Sequence, residues 1–257
     1  MGLGASVLAC CTSRDKPPYP TRPGVKVVHY GRRDGVQKAA RRRPKGAHKP
    51  RSRRAKGVLG NSSVAPAVGA VAREPDEETA FVDPAGMHHI QNTTDGPSGA
   101  SGAAGAIYSW LGISTRKEFP PVVRQAITAP LLAKFYAYGE PGRPKRNCIH
   151  AVGVDFRTMP QTSRSEAVEQ LAQAYSNILV QFCESGLRKL RLLPMSGGVF
   201  SGPWSLDMLA FSLITAEAVE RGFEQLSPAQ QRYVQDAELE MCIFMHDQVE
   251  CFEAAFK

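Results

Sequence analysis

Leu192-Leu193-Pro194-Met195-Ser196-Gly197-Gly198-Val199-Phe200-Ser201-Gly202 is the stretch on which the fold turns. An extended apolar run over 189–194 stops at Pro194, glycines crowd the next residues, and a helical pattern takes over at 206–223. A second stretch has the same grammar: Gly99-Ala100-Ser101-Gly102-Ala103-Ala104-Gly105-Ala106-Ile107 leads into a helical pattern over 104–111. Glycine lets the backbone approach a ligand closely, and amides at a helix start point at whatever anion lies there. Two such turns in one domain suit the two phosphates of a pyrophosphate. A pocket for a nucleotide sugar or nucleotide diphosphate is therefore expected.

Outward from these turns, strands alternate with helices. Residues 80–82 read as a short buried strand ended by Asp83-Pro84, and 120–137 as helical in part. An apolar strand is expected over 147–154. The clearest helix spans 163–185, with Ser165 as its cap and Val168, Leu171, Ala172, Tyr175, Ile178, Leu179 and Phe182 on one face. Residues 189–194 and 239–245 read as strands, and 247–256 as a closing helix. Residues 25–30 alternate well enough for one further strand, whose place in the sheet the pattern leaves open. Such alternation predicts an α/β sandwich around a largely buried sheet, with ligands beyond the carboxyl ends of its strands.

The net charge of +8 over 257 residues is divided unevenly. Residues 1–56 carry 16 Lys and Arg against Asp15 and Asp34, so the remainder of the chain is mildly acidic. Residues 1–23 read as a tail, 24–75 as a basic and largely disordered linker, and 76–257 as the globular domain. The chain opens Met1-Gly2-Leu3-Gly4-Ala5-Ser6, the N-myristoylation pattern on Gly2, with Cys10 and Cys11 placed for S-palmitoylation. One myristoyl chain binds a bilayer only marginally, about 10⁴ M⁻¹, so a second signal is needed. The cysteine pair and the basic run from Arg41 to Lys56 both supply one, since each basic side chain adds about 1 kcal/mol near an anionic leaflet. The expected location is the cytosolic face of a membrane, the plasma membrane first. Nuclear import or nucleic-acid contact is the second reading of the basic run, weakened because no aromatic between Gly31 and Val58 offers a stacking platform. The other cysteines, at 148, 183, 242 and 251, show no metal-ligand spacing, so reduced thiols are expected.

Four segments together resemble the macro domain, the ADP-ribose-binding family, over roughly residues 78–257. Ser101-Gly102-Ala103-Ala104-Gly105-Ala106-Ile107 is similar to its first phosphate loop, and Ile149-His150-Ala151-Val152-Gly153 to its V-I-H-x-V-G strand. Leu193-Pro194-Met195-Ser196-Gly197-Gly198-Val199-Phe200 is similar to its second phosphate loop, and 239–256 to its closing strand and helix. The resemblance implies a three-layer α/β/α sandwich with a mixed central sheet. It also implies a diphosphate held by backbone amides, with Gly102, Ala103 and Gly105 on one side and Ser196, Gly197, Gly198, Val199 and Phe200 on the other. Phe200 would face the distal ribose, and Asp83 joins the expected ligand contacts. ADP-ribose, an ADP-ribosylated protein or a related nucleotide is the implied partner, bound by a monomer without cofactor or metal. The family's N-A-A-N falls here on Asp83-Pro84-Ala85-Gly86, so the catalytic Asn position is Gly86 and hydrolysis is not expected. The early Asp that reads adenine has no secure counterpart, Asp34 being the candidate. An ADP-ribosyl hydrolase and a ligandless membrane scaffold are the alternatives.

Other tempting residues read as structural. His88 and His89 are adjacent, lack a carboxylate or Cys cluster, and are expected on a surface loop. His150 sits mid-strand and is expected to be a packed, hydrogen-bonded core residue. Ser196 lacks the G-x-S-x-G frame of a nucleophile elbow. Trp110 and Trp204 read as core or rim aromatics.

Overall fold

The computed structural model describes residues 23–29, 75–100, 102–243 and 246–257. Gly2, Cys10, Cys11, Asp34, Ser101 and the basic run lie outside them, as does the expectation of a disordered arm. Among the described residues the sheet has six strands: β1 (Val25–His29), β2 (Thr79–Ala85), β3 (Ala133–Tyr138), β4 (Arg146–Val152), β5 (Lys189–Leu192) and β6 (Glu238–Ile243), in the order β1-β6-β5-β2-β4-β3. Every neighbouring pair is parallel except β3 with β4, so the sheet is mixed, as expected.

Among the described residues seven α-helices flank it: α1 (Met87–Gln91), α2 (Gly102–Leu111), α3 (Pro121–Ala126), α4 (Arg164–Ser185), α5 (Met208–Glu224), α6 (Pro228–Gln235) and α7 (His246–Ala255). Strand side chains alternate between two apolar clusters, one on each face. Ala80, Val82, Ile149, Ala151, Leu190 and Leu192 meet α4 and α5 on one face. Phe81, Ala85, Cys148 and Val152 meet α2 and α3 on the other. Helices on both faces of a mixed sheet make the three layers.

Three local readings are corrected. The cap of α4 is Ser163, not Ser165: Ser163 Oγ accepts from the Glu166 amide while the Glu166 carboxylate accepts from the Ser163 amide. Residues 133–138, read within a partly helical stretch, form the edge strand β3, which pairs antiparallel with β4 from Ala133↔Ala151 to Tyr138↔Arg146. Pairing across the sheet overrides the local pattern there. The helix α6 had no counterpart in the sequence reading, although Ser227 and Gln230 form a second capping box at its start.

Residues 25–29 belong to the sheet. They pair in register with β6, Val25 opposite Leu239 and His29 opposite Ile243, so the folded unit takes in chain from before residue 76.

Candidate ligand-binding site

β2, β4 and β5 run parallel, so their carboxyl ends share one edge of the sheet. Just beyond that edge lies a cavity of about 330 Å³. Gly86 follows β2, Gly153 follows β4, Ser196 follows β5, and all three line it. Phe200, Arg157, Asp155 and His89 complete the polar and aromatic part of the wall, against apolar Pro84, Met87, Pro130 and Val152.

One helix shapes two of these walls. The Tyr175 hydroxyl, on the buried face of α4, donates to the Leu193 carbonyl at 3.2 Å and accepts from the Met195 amide at 2.9 Å. The chain is thereby held as it leaves β5. Two residues on, Asn177 Nδ2 donates to the Leu131 carbonyl at 2.9 Å, beside the wall residue Pro130. Among the described residues, two non-glycine residues have positive φ: Leu131 at 71° and Ser196 at 58°. Ser196 lines the cavity and Leu131 follows its wall residue Pro130, and such backbone is kept only where the surroundings over-determine it. Gly198, at φ 63°, lets the second turn continue past Ser196 in a conformation that L side chains resist. Gly153 serves a different need, because a Cβ there would collide with Ser196 Oγ.

The polar wall is arranged in depth. Arg157 is gripped by Asp155, Nε to Oδ1 at 2.8 Å and Nη2 to Oδ2 at 2.6 Å. That pair holds the Asp155 carboxyl below the ordinary carboxylate range. The Arg157 guanidinium lies over the Phe200 ring, 4.9 Å from its centroid, a cation–π contact that fixes the ring's orientation. Ser196 is buried and its Oγ has no hydrogen-bond partner, and the same is true of His89 Nδ1. Two orphaned polar atoms at one cavity are unusual, since buried polar groups are nearly always paired.

The second turn thus brings Ser196 and Phe200 to the cavity, while Val199 faces solvent at 72 % exposure. Gly197 and Gly198 form the turn between Ser196 and the short 3₁₀ segment Gly198–Phe200. The first turn enters differently. Gly102 and Ala103 open α2, and Gly105 sits within it, where a Cβ would come 2.7 Å from the Ala100 carbonyl oxygen. Close packing of the helix on its own entry accounts for that glycine. Ala100 and Ala104 pack against the cluster containing Leu193, which borders the second turn.

Asp83 is corrected. It is fully buried, with Oδ2 2.7 Å from His150 Nδ1, and His150 Nε2 lies 2.8 Å from the Tyr138 hydroxyl. Strand parity sends Asp83 into the α2 and α3 face, directly opposite His150 in the β2–β4 register. It is a structural partner of the core histidine rather than a wall of the cavity, and His150 is the hydrogen-bonded core residue expected. Burial, with the Asp83 carboxylate nearby, pushes the Tyr108 hydroxyl well above its ordinary value.

His88 and His89 depart from the surface-loop reading, because α1 places both in the cavity wall. Gly153, Asp155 and Arg157 were also missed as wall residues; their position directly after the 147–154 strand was the available signal. Trp204 packs edge-on against Phe156, with ring centroids 6.5 Å apart. Among the described residues no group of His, Cys, Asp or Glu is arranged to hold a metal ion, and no helix is long and apolar enough to cross a membrane.

The Macro domain family matches residues 94–207, the span from just before the first turn to just after the second. The mixed sheet with helices on both faces is a macrodomain-like fold. Solved structures similar to this chain include an Oceanobacillus iheyensis macrodomain variant with ADPR, at 16 % identity and TM-score 0.45, covering 73 % of this chain and 88 % of that one. A Trypanosoma brucei macrodomain in complex with ADP is 17 % identical, at TM-score 0.43, covering 69 % and 63 %. An alphavirus P23pro-zbd chain is 18 % identical, at TM-score 0.44, covering 74 % of this chain; the match spans only 25 % of that longer one. No curated protein matches.

Proposed function

We propose that this chain is a membrane-tethered macro-type module that binds ADP-ribose, or ADP-ribose carried on a protein, in the cavity beyond β2, β4 and β5. The observation that carries the reading is the convergence of Gly86, Gly153, Ser196 and Phe200 on one open cavity at the carboxyl edge of the sheet. Bare glycines at two strand ends leave room for backbone amides to approach phosphate oxygens. On this reading Ser196, Gly197, Gly198, Val199 and Phe200 embrace the diphosphate from one side. The entry of α2, with Gly102, Ala103 and Gly105, approaches it from the other. An ADPR-bound macrodomain and an ADP-bound one among the similar structures agree with the ligand class. Binding is preferred over hydrolysis because Gly86 has no side chain to orient a water. It is preferred over a ligandless scaffold because an open cavity with glycines at two strand ends stands at the carboxyl edge of the sheet.

Calorimetric titration of the full-length protein with ADP-ribose tests the pocket. Saturable one-site binding is expected, weakened about tenfold or more by Gly198→Val, since a branched side chain at positive φ distorts the turn. Absence of binding by the wild type would return the chain to the scaffold reading. For the tether, Gly2, Cys10 and Cys11 carry the acyl chains and the basic run supplies electrostatic attraction. Gly2→Ala is expected to move the protein from the membrane to the soluble fraction. An unchanged distribution would remove the anchor from this reading and leave the pocket untouched.

A further inference from the structure

Helix α5 is apolar on both sides at its head. Residues 208–216 contain no charged side chain, although only one side of the helix faces the core. Phe211, Ile214 and Ala218 are buried there, in the cluster that α4 and the sheet share. Leu209 and Leu213, one turn apart on the other side, are 50 % and 42 % exposed. Leu206, just before the cap, is 91 % exposed, more than any other large apolar side chain among the described residues. A residue in that position commonly packs on the fourth residue of its helix as a hydrophobic staple. Here the fourth residue, Phe211, is buried in the core and Leu206 stays in solvent. Single exposed leucines are ordinary; three at the head of one helix make a patch that asks for a partner.

The chemistry of the patch suits lipid. The charges that bound the run are already engaged: Asp207 Oδ1 accepts from the Ala210 amide at 2.9 Å, and Glu217 is held by Arg164 at 2.6 Å and by Arg221 at 2.7 Å. The exposed side chains are aliphatic, without the Trp, Tyr or Arg anchors that dominate contacts between proteins. Trp204, close by in the chain, packs on Phe156 instead.

The start of the chain arrives at the same helix. Pro23 and Val25 line a small surface recess with Ala216, Val219 and Glu220 of α5 and Phe256 just past α7. Ala216 stands three residues along α5 from Leu213, a rise of about 4.5 Å. Residues 1–22, with Gly2, Cys10 and Cys11, therefore join the folded unit within a turn of the exposed leucines. Cys11 precedes Pro23 by twelve residues, at most about 43 Å of fully extended chain. A bilayer holding acyl chains on those residues is presented to this helix at the high effective concentration that a short link provides.

We propose that Leu206, Leu209 and Leu213 form the surface by which the folded domain lies on a bilayer, with their side chains inserted at the boundary of headgroups and acyl chains. The proposal rests on the tether reading above and adds to it the face that the domain turns to the membrane. An acyl chain alone would leave the domain free to present any face. A leucine face beside the point of attachment selects one, and supplies a further increment of apolar burial.

The test is co-sedimentation of N-myristoylated full-length protein with vesicles of phosphatidylcholine containing a minor share of phosphatidylserine. Wild type is compared with Gly2→Ala, with the triple variant Leu206→Ser, Leu209→Ser, Leu213→Ser, and with Val122→Ser, which alters an exposed apolar side chain on α3. The triple variant is expected to partition about tenfold less than wild type, and Val122→Ser to match it. Leu209→Trp adds a second readout, expected to be quenched by brominated lipid more strongly than the wild-type tryptophans are. Thermal melting shows whether the triple variant folds, and if it does not, the quenching of Leu209→Trp decides. Partitioning lowered by Gly2→Ala but not by the triple variant overturns the leucine face and leaves the tether standing. Quenching of Leu209→Trp no stronger than that of wild type overturns the face as well. A dimer that light scattering finds in wild type and not in the triple variant, with partitioning unchanged, overturns it in favour of a second copy of the chain. Wild type that stays wholly in the supernatant overturns the face and the tether together.

Discussion

At the residue scale, Asp83 and Ser196 show how a polar residue within a strand and one just past a neighbouring strand take different parts. Asp83 points into the α2 and α3 face and is sealed there with His150 and Tyr138. Breaking such a buried pair by removing one partner leaves the other without compensation, at about 3–5 kcal/mol. Asp83→Ala is therefore expected to lower unfolding free energy by that amount in a denaturant titration. Any ligand affinity lost should be recovered under conditions that restore the folded population. Ser196, in contrast, is held at positive φ by the Tyr175 hydroxyl behind it, and its side chain has no partner of its own. Removing that hydroxyl with Tyr175→Phe unpairs the Met195 amide and the Leu193 carbonyl. A stability loss of about 1–3 kcal/mol is expected, together with weaker ligand binding, because the second turn loses its anchor.

At the element scale, α4 is the member that supports the site, since Tyr175 and Asn177 hold the chain on two sides of the cavity. Its start is secured by the Ser163–Glu166 capping box and its end by Gly186 in the left-handed conformation, φ 72°. Ser163→Ala removes the cap and is expected to cost about 1 kcal/mol. Hydrogen bonds from the Ser163 amide and hydroxyl hold the Glu166 carboxyl below its ordinary value of 4.5. A carboxyl whose folded pKa is depressed contributes stability above its unfolded pKa and loses it as pH falls through the folded one. The difference in unfolding free energy between wild type and Ser163→Ala should accordingly be full at pH 7 and narrow on acidification below pH 4.5. A difference that stays constant across that range would show that the Glu166 half of the box contributes nothing.

For the whole molecule, the position of β1 matters most. It closes the β6 edge of the sheet, and α7 packs beside both strands. A protein lacking residues 1–30 would expose the β6 edge and its unpaired backbone groups, an invitation to intermolecular pairing. Lower melting temperature and concentration-dependent association are expected by circular dichroism and light scattering. A fragment beginning near residue 70 is thus a poor substitute for the full chain in binding work.

What could be read from the chain and what could not divide along physical lines. The helix of 163–185, the strand of 147–154 and the two glycine turns were legible because their signals are local: apolar spacing, a continuous buried run, and breakers where the backbone must turn. The edge strand β3 was not legible, since only its pairing with β4 distinguishes 133–138 from a helical stretch. Asp83 and His89 departed from their expected places for the same kind of reason. Whether a side chain meets a core or a cavity depends on strand parity and on which helix covers that face, and neither is encoded within a few residues. The sequence by itself determined the alternation of elements and the places where glycine was required. The tertiary structure decided which of the neighbouring polar groups are sealed in the interior and which reach the cavity, because burial and hydrogen bonding are settled by contacts between segments distant in the chain.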